Sequence, residues 1–266
     1  MDRVRTVAAV AEVVEIVRRR ELLRNLVTRD IKVRYKRSVL GFIWVMLNPT
    51  LTMLVLSVVF AELFRVTLKD YTPYVLSGLV LWLFFAQSTS VALKAFVGNS
   101  ALISTVALPK AVFPLSVVLS ALVNLLLSSI PLFGLLLVLG VPVSHHVVLL
   151  PLAIFEVFVF ACGVALTLAT VTVFFQDMTY VYDVLLLAWM YLTPIFYPAS
   201  IIPGKFSWLL RMNPMIHYLN AFRACIYMES PTLGPDLWYG LVWAAIALAV
   251  GGALYHRYKD RIVYYL

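Results

Sequence analysis

The sequence predicts an all-α protein that crosses a membrane several times, and three observations carry that expectation. The chain is 63% hydrophobic and only 13% charged, with a mean hydropathy of +0.95. Soluble domains carry about 25% charged residues, so a surface this poor in charge must face lipid. Apolar runs of about 20 residues, the length that crosses a bilayer core as a helix, recur along the chain. The basic residues behind the net charge of +8 crowd into the first forty positions and the last ten. That is the pattern of membrane topology and not of a nucleic-acid footprint.

Residues 1–39 read as a cytoplasmic N-terminal region and 40–266 as the transmembrane domain. Six runs are expected to span: Leu40–Phe64, Pro73–Leu93, Leu115–Leu139, Val147–Phe175, Tyr180–Tyr197 and Leu237–His256. Both ends then lie on one side. That side holds sixteen of the 21 Lys and Arg, which makes it cytoplasmic. The charged stretch between Met1 and the first run does not fit a cleavable signal peptide.

Four segments outside the spans stand out. In Arg20–Arg37, Leu22, Leu23, Leu26, Val27 and Ile31 share one helical face, with Arg24, Thr28 and Lys32 on another. An amphipathic basic helix of this kind lies in the membrane interface, where it anchors topology and offers a docking surface to a cytoplasmic partner. Lys94–Pro114 is too polar at Gly98, Asn99 and Ser100 to span and too apolar at Leu102, Ile103 and Val106 for a plain linker. A short surface helix is expected there, ended by Pro109 and Pro114. Gln176 and Asp177 make a tight turn between spans four and five. Pro198–Pro235 reads as two half-inserted, re-entrant helices hinged at Asn213–Pro214, viable in a membrane only where protein shelters their backbone.

The motifs the chain lacks narrow its chemistry. It has no GxxxxGK[ST] phosphate loop, no HExxH, no GxSxG and no acidic cluster with metal spacing. Cys162 falls in an apolar run and Cys225 in a loop, neither with metal-ligand spacing. Glu156 and Asp183 are the intramembrane acids, too few for a proton relay, and a hydrogen-bonded structural role is expected for each. That argues against a self-powered pump, with any energy supplied from elsewhere. In span five, Tyr182, Trp189 and Phe196 recur every seven residues and so share a stripe. Such rings either pack against a helix or stack against sugar faces.

These motifs resemble a family. ELLRNLVTRDIKVRYKRSVLGFIWVMLNP (Glu21–Pro49), NSALISTVALPKAVFPLS (Asn99–Ser116), FFQDMTYV (Phe174–Val181), YLTPIFYP (Tyr191–Pro198) and NPMIHYLNAFR (Asn213–Arg223) are similar, in order and spacing, to the ABC-2 permeases that export O-antigen, capsular polysaccharide and teichoic acid. The resemblance implies a homodimer docked on two copies of a separate ATPase chain, which alone binds ATP and Mg. It assigns ATPase contacts to Arg29, Asp30, Lys32 and Tyr35, and to Asn99, Leu102, Ile103, Val106 and Leu108. Tyr182, Trp189, Phe196 and Tyr197 become a substrate channel. The re-entrant helices Ile201–Arg211 and Met215–Tyr227 become the outer gate, with Asn213 and Pro214 at their hinge and Tyr218 and Phe222 on the second helix. Arg34, Lys36 and Arg37 are placed to attract a lipid-linked pyrophosphate. The alternative within the family is an exporter of a drug or small lipid. A membrane glycosyltransferase would need clustered acids, for which Glu62 and Asp70 are the only candidates.

Overall fold

The computed structural model describes residues 19–36, 40–41, 43–64, 67–106, 108–198, 201, 203–228 and 232–266, apart from the side chains at 34, 35, 61–64, 206, 207 and 209. The described residues form helices joined by short connections, with no strand among them. In order, these are α1 (Arg20–Tyr35), α2 (Ile43–Phe64), α3 (Leu68–Ala92), α4 (Ser100–Thr105), α5 (Val112–Leu139), α6 (Leu150–Phe174), α7 (Met178–Leu192), α8 (Ser207–Met212), α9 (Pro214–Ile226) and α10 (Leu233–Tyr265). Five of them, α2, α3, α5, α6 and α10, are long and apolar enough to cross a membrane, while α7 is a shorter apolar helix of 15 residues. The protein is a multi-pass membrane protein.

Local chemistry sets the helix ends. Thr67 caps α3: its Oγ1 accepts from the Asp70 backbone N–H at 3.3 Å and donates to Asp70 Oδ2 at 2.6 Å, a reciprocal cap that uses an orphan donor of the first turn. Gly140 ends α5 with φ 62°, and its N–H returns to the carbonyls of Leu136 and Leu137, a left-handed exit that suits glycine. The turn Gln176–Asp177 reverses the chain between α6 and α7 as expected.

Helix α3 is the axis of the bundle. Its span is 72% buried, against 17–33% for the others, and it packs on α2, α5, α6, α7 and α9. The tightest pair is α6 with α10. A Cβ on Gly163 would overlap the Ala247–Leu248 backbone, and one on Gly251 would overlap the Gly163 carbonyl. Small residues let helix backbones approach this closely in lipid, where there is no hydrophobic drive between helices.

Five expectations need correction. Span five stops at Leu192, not Tyr197, because Pro194 offers no N–H to extend the helix, and Thr193 turns extended with φ −102° and ψ 131°. Phe196 and Tyr197 therefore lie beyond the helix. Pro114 sits in the first turn of α5, where its missing N–H costs nothing, so it does not precede that helix. Cys225 is buried inside α9 and is not in a loop. The segment expected as the first re-entrant helix is less helical than expected, a 3-10 turn Gly204–Phe206 followed by six residues of α8. The last helix runs past His256 to Tyr265, because its polar end is amphipathic and buries Tyr255 and Ile262.

Candidate functional site

Two clusters of candidate side chains lie at opposite ends of the bundle. The first joins α1, the 93–111 link and the end of α10. Leu26 is buried and Leu22 and Leu23 pack beside it, so the apolar face predicted for α1 is turned inward, against α5. On the outer face Arg29 Nη2 donates to Asn99 Oδ1 at 3.1 Å and pairs with Asp30 Oδ1 at 3.1 Å. Asn99 Nδ2 in turn donates to the Ala95 carbonyl at 2.8 Å. Two segments that are 70 positions apart in sequence thus form one surface.

The link is also held from a side that sequence reasoning missed. Lys110 Nζ donates to the Lys259 carbonyl at 2.5 Å, the Ala111 N–H donates to Tyr255 Oη at 3.3 Å, and Phe96 stacks on Tyr255. The signal for this was the pairing of apolar Tyr255 and Ile262 seven positions apart in a charged tail. Leu102 and Val106 stand 40% and 46% exposed, an apolar edge open to a partner, whereas Ile103 is 7% exposed and anchors α4 in the core. Ile103 is therefore no surface contact. Leu108 is half-buried and Lys32 and Lys36 are exposed. The side chains of Arg34 and Tyr35, and Arg37 altogether, lie outside the described residues, as does the side chain of Glu62.

The second cluster surrounds the Thr193–Tyr197 turn and α9. Non-helical backbone at membrane depth needs internal partners, and this turn has them. Tyr71 Oη donates to the Phe196 carbonyl at 2.6 Å, and Tyr74 Oη reaches the carbonyls of Pro194 and Tyr197 at 2.9 and 2.8 Å. Arg223 of α9 completes the set. It donates from Nη1 to the Pro194 carbonyl at 3.1 Å and from Nη2 to the Tyr74 carbonyl at 2.9 Å, and lies 3.6 Å from the Tyr74 ring centre. Gly78 makes room for it, since a Cβ there would stand 2.9 Å from Nη2. Arg223 is 3% exposed and has no carboxylate partner among the described residues. Quoted on the sequence only as the end of the NPMIHYLNAFR motif, it is the tie between α3, the turn and α9.

Asn213 caps α9 and ties it to α7. Its Oδ1 accepts from the Met215 N–H at 3.0 Å and from Trp189 Nε1 at 2.8 Å, while Nδ2 donates to Thr193 Oγ1 at 3.0 Å. Pro214 follows at the first helical position, where no N–H is needed. Tyr218 and Phe222 are buried, with Tyr218 Oη donating to the Gly240 carbonyl at 2.7 Å. Buried Glu156 faces the same glycine, where a Cβ would stand 2.6 Å from its Oε2. His217 Nδ1 meets Asp236 Oδ1 at 2.8 Å and Nε2 meets the Arg211 carbonyl at 3.1 Å. Both ring nitrogens face acceptors, so the doubly protonated ring satisfies both. The Asp236 bond accordingly raises the His217 pKa above 6.5, with burial opposing it.

The aromatic residues predicted for a channel are placed differently from a shared stripe on one helix. Tyr182 is buried inside the subunit. Trp189 packs edge-on against Phe85 at 5.0 Å and Phe160 at 6.4 Å, and Phe196 and Tyr197 are half-buried in the turn. The open face of α7 instead carries Tyr180, Asp183, Val184, Leu187 and Tyr191.

The chain matches the ABC-2 type transporter family over residues 21–227, a stretch that contains both clusters except for their residues on α10. It is 35% identical over 219 residues to the O-antigen export system permease protein RfbA of Myxococcus xanthus, covering 80% of this chain and 83% of that one. A permease of the same name from Klebsiella pneumoniae is 31% identical, over 91% of this chain and 93% of its own. The polysialic acid transport protein KpsM of Escherichia coli is 23% identical, over 90% and 93%. The family match runs through the surface joined by Arg29 and Asn99 and through the Thr193–Tyr197 turn, and this chain belongs to the ABC-2 type transporter family.

Proposed function

We propose that this chain is the permease subunit of an ATP-driven exporter that carries a lipid-linked polysaccharide, of the O-antigen or capsule type, outward across the inner membrane. The observation that carries the substrate class is the similarity to O-antigen export permeases along nearly their whole length, 91% of this chain against 93% of the relative. Two copies assemble with two copies of a separate ATPase chain, which holds ATP and Mg. Six spans, with α7 as the fifth, put both termini in the cytoplasm, and α8 and α9 form a re-entrant pair at the outer side.

The ATPase docks on the surface joined by Arg29 and Asn99, with Leu102 and Val106 as its apolar edge. Because Lys110 and Ala111 bond to α10, a push on the link is passed to the helix that packs most tightly on α6. The glycan passes between two copies along the open faces of α2 and α7. Support for this path is the polar groups set into those otherwise apolar faces: Asn48 and Thr52 on α2 and Asp183, Tyr180 and Tyr191 on α7 are all exposed in the single subunit, and such groups are costly against lipid tails. Arg223, Asn213 and Trp189 hold the outer gate in its closed form.

The test is deletion of this gene in its host, with surface polymer and cytoplasmic lipid-linked polymer both quantified. Loss from the surface with accumulation inside is expected, and both are restored by the wild-type gene. Normal surface polymer accompanied by drug sensitivity would replace the glycan with a small lipophilic cargo.

A further inference from the structure

Between α2, α3 and α5 lies a cavity of about 480 Å³ whose lining includes Trp44, Asn48, Gln87, Ser90, Asn124 and Ser128. It is built into the packing of the helices. Pro49 has no N–H, so in a helix the carbonyl of Val45 loses its usual partner, and Ser128 Oγ supplies the missing hydrogen bond at 2.9 Å. That bond ties α2 to α5 along one wall. Asn124, 8% exposed, donates from Nδ2 to Gln87 Oε1 at 3.0 Å.

The pair is left with one free group of each kind. Gln87 Nε2 and Asn124 Oδ1 are buried and have no hydrogen-bond partner among the described residues. If both amides are turned over, the same count results, one donor and one acceptor, so the conclusion does not depend on how oxygen and nitrogen are assigned. Nearly all buried amide groups in proteins are satisfied, and a hydroxyl carries both of the complementary functions, because it accepts and donates through one oxygen. Among the described residues none that lines the cavity is charged, which disfavours a phosphate, while the Trp44 indole at its wall offers a flat apolar face.

We infer that the Gln87–Asn124 pair is a binding site for an uncharged sugar ring of the cargo, which bridges the two amides through one hydroxyl while its apolar face lies on Trp44. This rests on the export reading above and adds to it: the cavity holds the neutral glycan, and the phosphate of the carrier is bound elsewhere. Asn48 and Ser90 widen the polar surface for neighbouring hydroxyls.

The experiment uses the full chain in phosphatidylcholine nanodiscs, with Cys162→Ala and Cys225→Ala, and Ser90→Cys as reporter. The labelling rate by a small methanethiosulfonate is measured with decyl maltoside, with decyl phosphocholine, and in phosphatidylglycerol discs. Decyl maltoside is expected to slow labelling about tenfold, from two hydrogen bonds of ordinary strength, and decyl phosphocholine to leave it unchanged. Gln87→Met and Asn124→Leu, which keep the bulk of each side chain, should each abolish the protection. Equal protection by both detergents assigns the cavity to an alkyl chain and overturns the proposal, as does protection that survives both substitutions. Protection by phosphatidylglycerol equal to that by maltoside assigns the hydroxyl to a lipid headgroup and overturns the sugar assignment. Asn48→Cys serves as a second reporter should Ser90→Cys misfold. Because labelling needs no ATPase and no export, a negative result here with normal export in cells sinks this site alone.

Discussion

Arg223 and His217 lie six residues apart on α9, and each stabilises that end of the bundle by a different device. Arg223 is a buried cation whose guanidinium forks onto two carbonyls of different elements. Lysine keeps the charge but not the fork. Arg223→Met is therefore expected to cost about 3 kcal/mol, the worth of a pair of charge-assisted bonds, and Arg223→Lys to recover less than half of it. Melting in detergent checks this, and a Lys variant as stable as the parent would mean that charge alone suffices. For His217 the sign follows from its raised pKa. Its contribution is fully present below the unfolded value near 6.5 and is lost as pH rises through the higher folded value. Hydrogen exchange of Pro214–Ile226 should quicken across that rise, and His217→Gln should flatten the dependence. An unchanged profile in the Gln variant would remove His217 from this role. Neither residue announced itself in the sequence, because a partner carbonyl on another element leaves no local pattern. Asn213–Pro214 did, since a cap followed by proline is a local signal.

The element to which the proposed function assigns coupling is the link from Leu93 to Ala111, and only part of it was legible. Its polar and apolar residues predicted a short surface helix, and α4 is that helix. Which apolar residues face out was not legible, because six residues of helix give too few turns to define a face. Leu102 and Val106 are outward and Ile103 is inward. Leu102→Asp with Val106→Asp is expected to lower export at least tenfold, with insertion and melting changed little, because exposed positions seldom alter stability by more than about 0.5 kcal/mol. Co-purification of the ATPase is the accompanying readout. Retained ATPase with full export would release this edge from docking. The aromatic recurrence in α7 was legible as a period, but the period cannot say whether the stripe faces inward. Packing against Phe85 and Phe160 decided that Trp189 belongs to the core.

For the whole molecule the charge bias makes a prediction that topology experiments read directly. In a cysteine-free background, single cysteines at Lys69, His145 and Lys205 are expected to react with an impermeant maleimide from outside. Those at Lys36, Lys110 and Lys259 are expected to react only after the membrane is opened. One reversal within either set would break the arrangement with both ends inside. The same experiment tests α7 as a span. Its 15 residues at a rise of 1.5 Å cover about 22 Å, less than a bilayer core, so a crossing here requires the Thr193–Tyr197 turn to supply the rest.

By itself the sequence determined that the chain lives in a membrane, which runs are apolar enough to cross it, where its basic ends lie and which family it resembles. These follow from composition, run length and local motifs, all of which are additive along the chain. Tertiary structure alone decided what each buried polar group does. A proline at 49 frees a carbonyl that a serine at 128 fills, and a glycine at 78 makes room for an arginine at 223. In the low-dielectric interior an unpaired polar group is expensive, so its partner is fixed by the fold and can sit at any distance along the sequence.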